Sequence, residues 1–349
     1  MTLRFRPVSR HLALLTASCF VASSAASGQA RYDAGNVRVE VLGLERWTLR
    51  MLQDSVSRYV PGQKLHDAAC MVTLRYSLKF RDAMVRTYSG FSGPDSKQEF
   101  LSIRVAEPGS GPRWRTIPPN DFMSLLPDYA GLLLPVTDSA GSIWTTRIDV
   151  GLYFRDSEQR TRMLSRGDSA RRAAMQADGD RVLVFLESHR SDTDRLRAMR
   201  SLDSNSVYAN RMAAAYVLSN FPEHDATWHT LVRAMRDPHE GVRGAAQLAL
   251  STMSRRTIDW APVSTELRML LGGANLSALD DVMSMLVDTK VSSTLTPSLV
   301  RQNGVWITRL LMSEAPQVST RTRVLLVALN GGSDLGASPT AWRRWIASR

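Results

Sequence analysis

The chain of 349 residues has only two cysteines and four lysines, and each shortage removes a class of explanation. Cys19 lies near the amino terminus and Cys70 stands alone after it. Once the leading segment is removed no intramolecular disulfide can form, so stability has to come from packing. With lysine confined to Lys64, Lys79, Lys97 and Lys290, the formal net charge of +11 is almost all arginine. The arginines are scattered, often one or two helical turns from Asp or Glu, with no block of like charge, which describes a solvated surface and gives no reason to expect a nucleic-acid partner. None of the lysines stands three residues after a serine, which excludes S-x-x-K hydrolases. Long apolar runs are missing as well: Leu125 to Val136 is interrupted by Pro127, Asp128 and Pro135, so no membrane span is expected after the leader is removed.

What is present begins with that leader. Arg4, Arg6 and Arg10 make a basic region, His11 to Val21 a short apolar one, and Gly28-Gln29-Ala30 supplies the small residues a signal peptidase accepts. Residues 1–30 therefore read as a signal peptide, and the protein as exported to a periplasmic or extracellular compartment. Thr16-Ala17-Ser18-Cys19 loosely resembles a lipobox, which makes lipidation at Cys19 the lesser alternative. Beyond the leader, 44% hydrophobic content is enough for real cores, and the length is ample for two domains.

Residues 31–158 mix strand and helix patterns without a β-α-β rhythm, which predicts a small α+β domain. Val37, Val39 and Val41 alternate as a first strand. Leu44, Trp47, Met51, Leu52, Ser55, Val56 and Tyr59 share a helical face that Pro61-Gly62 ends. From His66 to Phe80 apolar residues alternate as a strand, with a helical stripe through Cys70, Met71, Leu74 and Leu78 as the weaker reading. Met84–Phe91 and Phe100–Val105 read as further strands, the second pairing with Arg113–Ile117 across Gly109-Ser110-Gly111-Pro112. Asn120 caps a short helix to Leu126, and Ile143–Phe154 alternates again. Candidate chemistry is sparse. His66 precedes Cys70 by four residues, which could make a thiolate pair, but Cys70 opens an apolar run and reads better as core. Gly90-Phe91-Ser92-Gly93 falls one residue short of a nucleophile elbow. Arg113-Trp114-Arg115 could stack on an anionic partner or lie in a half-exposed hairpin.

After a polar stretch at 159–179, read as a linker or connecting helix, residues 180–349 are helices at close intervals. Leu231, Val232 and Met235 make one apolar stripe, Asp237-Pro238 breaks it, and Val242, Ala245, Ala246, Ala249, Leu250 and Met253 make the next. Pro238 fits a first helical turn with Asp237 as its N-cap, and Gly244, Ala245 and Ala246 would admit a close neighbour. Arg211-Met212-Ala213-Ala214-Ala215-Tyr216-Val217-Leu218-Ser219 aligns without gaps on Arg243-Gly244-Ala245-Ala246-Gln247-Leu248-Ala249-Leu250-Ser251, at an offset of 32 residues. A helix pair cannot hide such a face alone, so stacked neighbours are required.

The D-P-x-x-x-V-R-x-x-A-A-x-x-A-L pattern from Asp237 through Val242, Arg243, Ala246 and Leu250 resembles the second half of a HEAT repeat. Trp342-Arg343-Arg344-Trp345 is similar to the endings of some bacterial HEAT-repeat proteins. The resemblance implies an α-solenoid of helical hairpins, closed by a capping helix that Trp342 and Trp345 pin, with Arg211, Ala214 and Leu218 as the equivalent repeat positions. It also implies a surface that binds a protein or peptide. No metal or cofactor follows from the residues: His239-Glu240 begins H-E-x-x-H but Arg243 stands where the second histidine is needed, and His224 and His229 point to different sides of a helix. Asn275-Leu276-Ser277 is a formal glycosylation sequon. The expectation is a non-catalytic exported scaffold. The alternatives are an enzyme using His66, Cys70, Asp82, Arg113 and Arg115, and a binder of anionic envelope polymers.

Overall fold

The computed structural model describes residues 29–67, 69–88, 99–109, 114–118, 135–137, 143–146, 157–165 and 169–349. The leader up to Gly28, the lipobox-like Cys19, the segment around Ser92, Arg113, the helix read from Asn120 and most of Ile143–Phe154 lie outside them. In the first region β1 (Gln29–Ala34), β2 (Val37–Leu42), β3 (Asp82–Tyr88) and β4 (Glu99–Ala106) form one sheet in the order β1-β2-β4-β3. The pairs are antiparallel except β2 with β4, which run parallel. Parallel neighbours need a long crossover, and here it contains α1 (Leu49–Tyr59) and α2 (Cys70–Val72), which widens into a π turn over Thr73–Ser77. A short antiparallel pair, β5 (Pro135–Thr137) and β6 (Ile143–Thr146), stands apart. The opening strand starts at Gln29, two residues inside the expected leader, and pairs Gln29 and Ala30 with Leu42 and Val41.

The two faces of the sheet are buried in different ways. Val39, Val41, Ala83, Leu101, Ile103 and Val105 point to one side and pack on Leu52, Val56, Cys70, Leu74 and Phe80. Burial there explains why 66–80 is not the strand that its alternation predicts. Cys70 and Leu74, one helical turn apart, both reach this core, whereas Val72 and Tyr76 are 59% and 64% exposed, so alternate residues do not share a buried face. Nor does β4 pair with 113–117. Both of its edges are occupied, by β2 and β3, and Trp114–Pro118 instead runs along the helices, with the Arg115 amide donating to the Arg236 carbonyl at 2.6 Å.

The helical region comprises α3 (Ser157–Leu164), α4 (Ser169–Ser188), α5 (Asp192–Ser204), α6 (Tyr208–Leu218), α7 (Asp225–Ala234), α8 (Glu240–Thr252) and α9 (Ser264–Leu271), followed by α10 (Leu279–Asp288), α11 (Thr296–Val300), α12 (Gly304–Leu311), α13 (Pro316–Leu329) and α14 (Pro339–Ala347). The stretch at 159–179 belongs to α3 and α4, so it is helix over most of its length. From α5 on, the helices lie in two layers. α5, α7, α9 and α11 neighbour one another in one layer, α6, α8, α10 and α13 in the other, and α5–α6, α7–α8, α9–α10 and α12–α13 pack as consecutive pairs. One continuous core runs through them, from Val182 to Ile346.

Two local expectations at the second pair change. The N-cap of α8 is His239 and its first residue Glu240, so Pro238 sits in the turn. The Asp237 carboxylate accepts the His239 amide at 2.9 Å but is otherwise committed to arginines. Of the three small residues, Ala245 and Ala246 are buried, while Gly244 is exposed and a Cβ there would meet nothing within 4 Å.

Candidate functional site

The helical pairs meet the sheet at their turns, and this contact determines which surface is left open. The second face of the sheet carries Glu40, Leu42, Asp82, Met84, Tyr88, Ser102 and Arg104, all buried and mostly polar. Asp280, at the start of α10, is fully buried there. Its carboxylate accepts from Arg104 at 2.9 Å, Arg86 at 2.6 Å and the Tyr88 hydroxyl at 2.8 Å. Burial alone would raise the Asp280 carboxyl, but the Arg104 and Arg86 guanidiniums outweigh it and hold the group below the usual carboxylate range. Burial pushes Tyr88 up to about 12. Asp82 accepts the Leu276 amide at 2.9 Å and pairs with Arg75 at 3.0 Å. Glu40 takes the Ser313 hydroxyl at 2.5 Å and the Glu314 amide at 3.2 Å.

At the earlier turns Arg115 takes the same part. It pairs with Asp203 at 3.2 Å and with Asp237 at 2.9 Å, while Trp114 lies 3.9 Å beneath the Arg243 guanidinium. Asp237 is also gripped by Arg211 through two bonds of 2.9 Å. Burial raises its carboxyl, and Arg211 and Arg115 more than reverse that. The turns beside Asp203, Asp237, Leu276 and Ser313 are therefore covered by the chain's own amino-terminal region.

The offset of 32 residues reappears in the hydrogen bonding. Arg211 donates to the Asn205 and Ser206 carbonyls at 2.7 and 3.1 Å, and Arg243 donates to Asp237 and Pro238 at 2.9 and 3.1 Å. Each arginine satisfies the orphan carbonyls of its own turn from six residues downstream. Ala214, Leu218, Val242, Ala246 and Leu250 are buried in the shared core, and Trp342 and Trp345 stand edge to face at 5.5 Å, with the Trp342 indole donating to Gly336.

On α8, α10 and α13 a groove remains open. A cavity of about 480 Å³ lies between α10 and α13, lined by Ser284, Val287 and Asp288 from one helix and Pro316, Gln317, Thr320, Arg321 and Val324 from the other. A smaller one of about 70 Å³ continues between α8 and α10 past Gln247, Ser251, Arg255 and Asp281, and the two share Ser284. Residues four apart on each helix line the groove, as a helical face requires. Its character is mixed: Val324 is 45% exposed, the side-chain oxygen Oε1 of Gln317 is buried with no partner, and Gln247 donates to Asp281. The groove stops at α6, where Asn210 to Leu218 are buried on every side. No sequence signal marked it, because these residues become neighbours only when successive second helices stack.

His66 and Cys70 both lie near Tyr32, but no bond joins them among the described residues. Cys70 is fully buried and its thiol donates to the Leu65 carbonyl at 2.8 Å; burial, with Asp67 nearby, pushes it up to about 12. His66 faces the Tyr32 hydroxyl at 3.4 Å, and Asp82 and Arg115 are spent on the contacts above. Among the described residues no three His, Cys, Asp or Glu side chains are placed to hold a metal, and no helix is long and apolar enough to cross a membrane.

These features define a protein with a small four-stranded sheet followed by many helices. No protein-family model, curated protein sequence or solved structure matches the chain.

Proposed function

We propose that this protein is an exported, non-catalytic scaffold whose helical region is a HEAT-like α-solenoid, and that it holds an extended peptide segment of a protein partner in the groove across α8, α10 and α13. The groove carries the reading. It opens between α10 and α13 with a small extension against α8, and it combines polar side chains (Gln247, Ser284, Gln317, Thr320) with apolar patches at Val287 and Val324. A peptide backbone needs hydrogen-bonding partners along its length as well as places for alternate side chains. The recurrence of the Arg211 and Arg243 turn bonds supports the repeat reading, and the layered order of the helices supports the solenoid. Export rests on the leader sequence. For the enzyme alternative, the Cys70 thiol is buried and bonded to the Leu65 carbonyl, and Asp82 and Arg115 are held in ion pairs with Arg75 and Asp237.

Phage display of random peptides against the full chain tests the proposal. Selected peptides are expected to bind the wild type and to lose affinity at least tenfold for the double variant Thr320→Arg, Val324→Arg, whose positions are exposed and leave the core intact. Equal binding to both proteins would reject the groove as the site.

A further inference from the structure

At the carboxy-terminal end, on the other layer of the helices, a cleft of about 590 Å³ opens between α12 and α14. Its walls carry four arginines, Arg301, Arg309, Arg343 and Arg349, and among the described residues no acidic side chain lines it. Some arginines elsewhere are matched with carboxylates, as Arg323 is with Asp334 and Arg256 with Asp225. Two acids near this cleft, Glu314 and Glu107, are already engaged. Glu314 is taken by Arg31 at 2.9 Å and Arg38 at 3.6 Å. Glu45 and Glu107 lie near Arg309, and Glu107 accepts the backbone amides of Glu45, Arg46 and Trp47 and pairs with Arg46 at 3.4 Å. Arg349 lies 5.1 Å over the Trp345 ring, which fixes its direction.

The floor of the cleft is apolar. Val305 is 68% exposed, and Ile346, Ala347 and Met312 line the space beside it. Gly304 is what brings the two helices this close, since a Cβ there would sit 2.6 Å from Ile346 Cγ2. Gln29 closes one end, its amide donating to the Met312 carbonyl at 3.2 Å.

We infer that this cleft binds a small anionic amphiphile, with a carboxylate or phosphate head held by the arginines and a short acyl or alkyl body lying on Val305, Met312 and Ile346. Guanidinium groups are suited to planar or tetrahedral oxyanions, through paired and strengthened hydrogen bonds. A bare inorganic anion would leave most of the volume and the whole apolar floor unused, whereas an alkyl chain gains from burial there. The site is separate from the peptide groove, so the two readings stand or fall independently.

Isothermal titration calorimetry of the full chain with decyl phosphate, kept below its micelle concentration, tests the assignment. Saturable binding at one site is expected. It should weaken at least tenfold in Arg301→Glu, Arg343→Glu and again in Val305→Asp, all at exposed positions, with circular dichroism melts unchanged. If the double charge reversal fails to fold, Arg301→Gln alone serves, with a loss of at least threefold expected. Decanoate in place of decyl phosphate distinguishes a carboxylate source from a phosphate source, and binding of either supports the site. The inference is overturned by absent or unsaturable binding of both probes, by equal affinity in the variants, or by equally tight binding of inorganic phosphate.

Discussion

Cys70 shows how far a single residue can be read before its surroundings are known. An isolated cysteine opening an apolar run reads as core, and the structure places it under the sheet with its thiol bonded to a carbonyl and its ionisation pushed up to about 12. A thiol that stays protonated is a poor nucleophile. Iodoacetamide should therefore leave native Cys70 unlabelled at pH 8 over hours and modify it within minutes in denaturant; rapid labelling of the folded protein would contradict this burial. Gly244 was harder to read from the chain alone. Its small neighbours Ala245 and Ala246 suggest a close helix contact, yet it lies one step round the helix and faces solvent. Composition names a small residue but does not say which side of a helix it faces.

At the scale of the element, the periodic helices α5 to α10, α12 and α13 were legible because apolar spacing reports a buried face directly, whereas the short α11 (Thr296–Val300) was not. The first region was less so. Residues 70–77 satisfy strand and helix patterns alike, and the choice was made by Leu74 and Cys70 reaching the same core from one side. A second local pattern, Asp237-Pro238, predicts a cap, but two arginines distant in sequence compete for that carboxylate and win. The packing of α8 gives a direct contrast. Ala246→Arg puts an unpaired charge into a fully buried helix contact and should destabilise by more than about 3 kcal/mol or prevent folding. Gly244→Ala, on the exposed side of the same helix, should stabilise by about 0.5–1 kcal/mol by restricting the unfolded chain and favouring helix. Thermal melts of the two variants read both values; equal effects would mean that the faces of α8 are wrongly assigned.

For the whole molecule, the largest surprise is that the two regions are not beads on a string. Ser102 and Arg104 alternate with the apolar Leu101, Ile103 and Val105 on β4, yet both are buried, at 1% and 0% exposure. Nothing local predicts this, because the partner, Asp280, is 176 residues away from Arg104. Removing that carboxylate with Asp280→Asn leaves Arg104 buried without its counter-charge and should cost about 3–5 kcal/mol, whereas Asp280→Leu with Arg104→Met should be far milder. The pH dependence follows from the same ion pair. The Asp280 and Asp237 carboxyls lie below their ordinary value in the fold, so the stability they add is complete above the unfolded value of about 4 and disappears as pH falls through the folded one. Melting temperature should therefore hold steady from neutral down to about pH 5 and then drop, more shallowly in Asp280→Asn. A wild type and variant that lose stability in parallel on acidification would exclude Asp280 as the source.

The sheet docked on the helix turns also has a practical consequence for dissecting the protein. A cut near residue 158 or 180, where composition invites one, would strip Leu42, Tyr88 and Met84 from their neighbours and leave both fragments with raw, sticky surfaces. Such halves should precipitate or cling to each other when mixed. Function will have to be mapped by point changes, with the polypeptide kept in one piece.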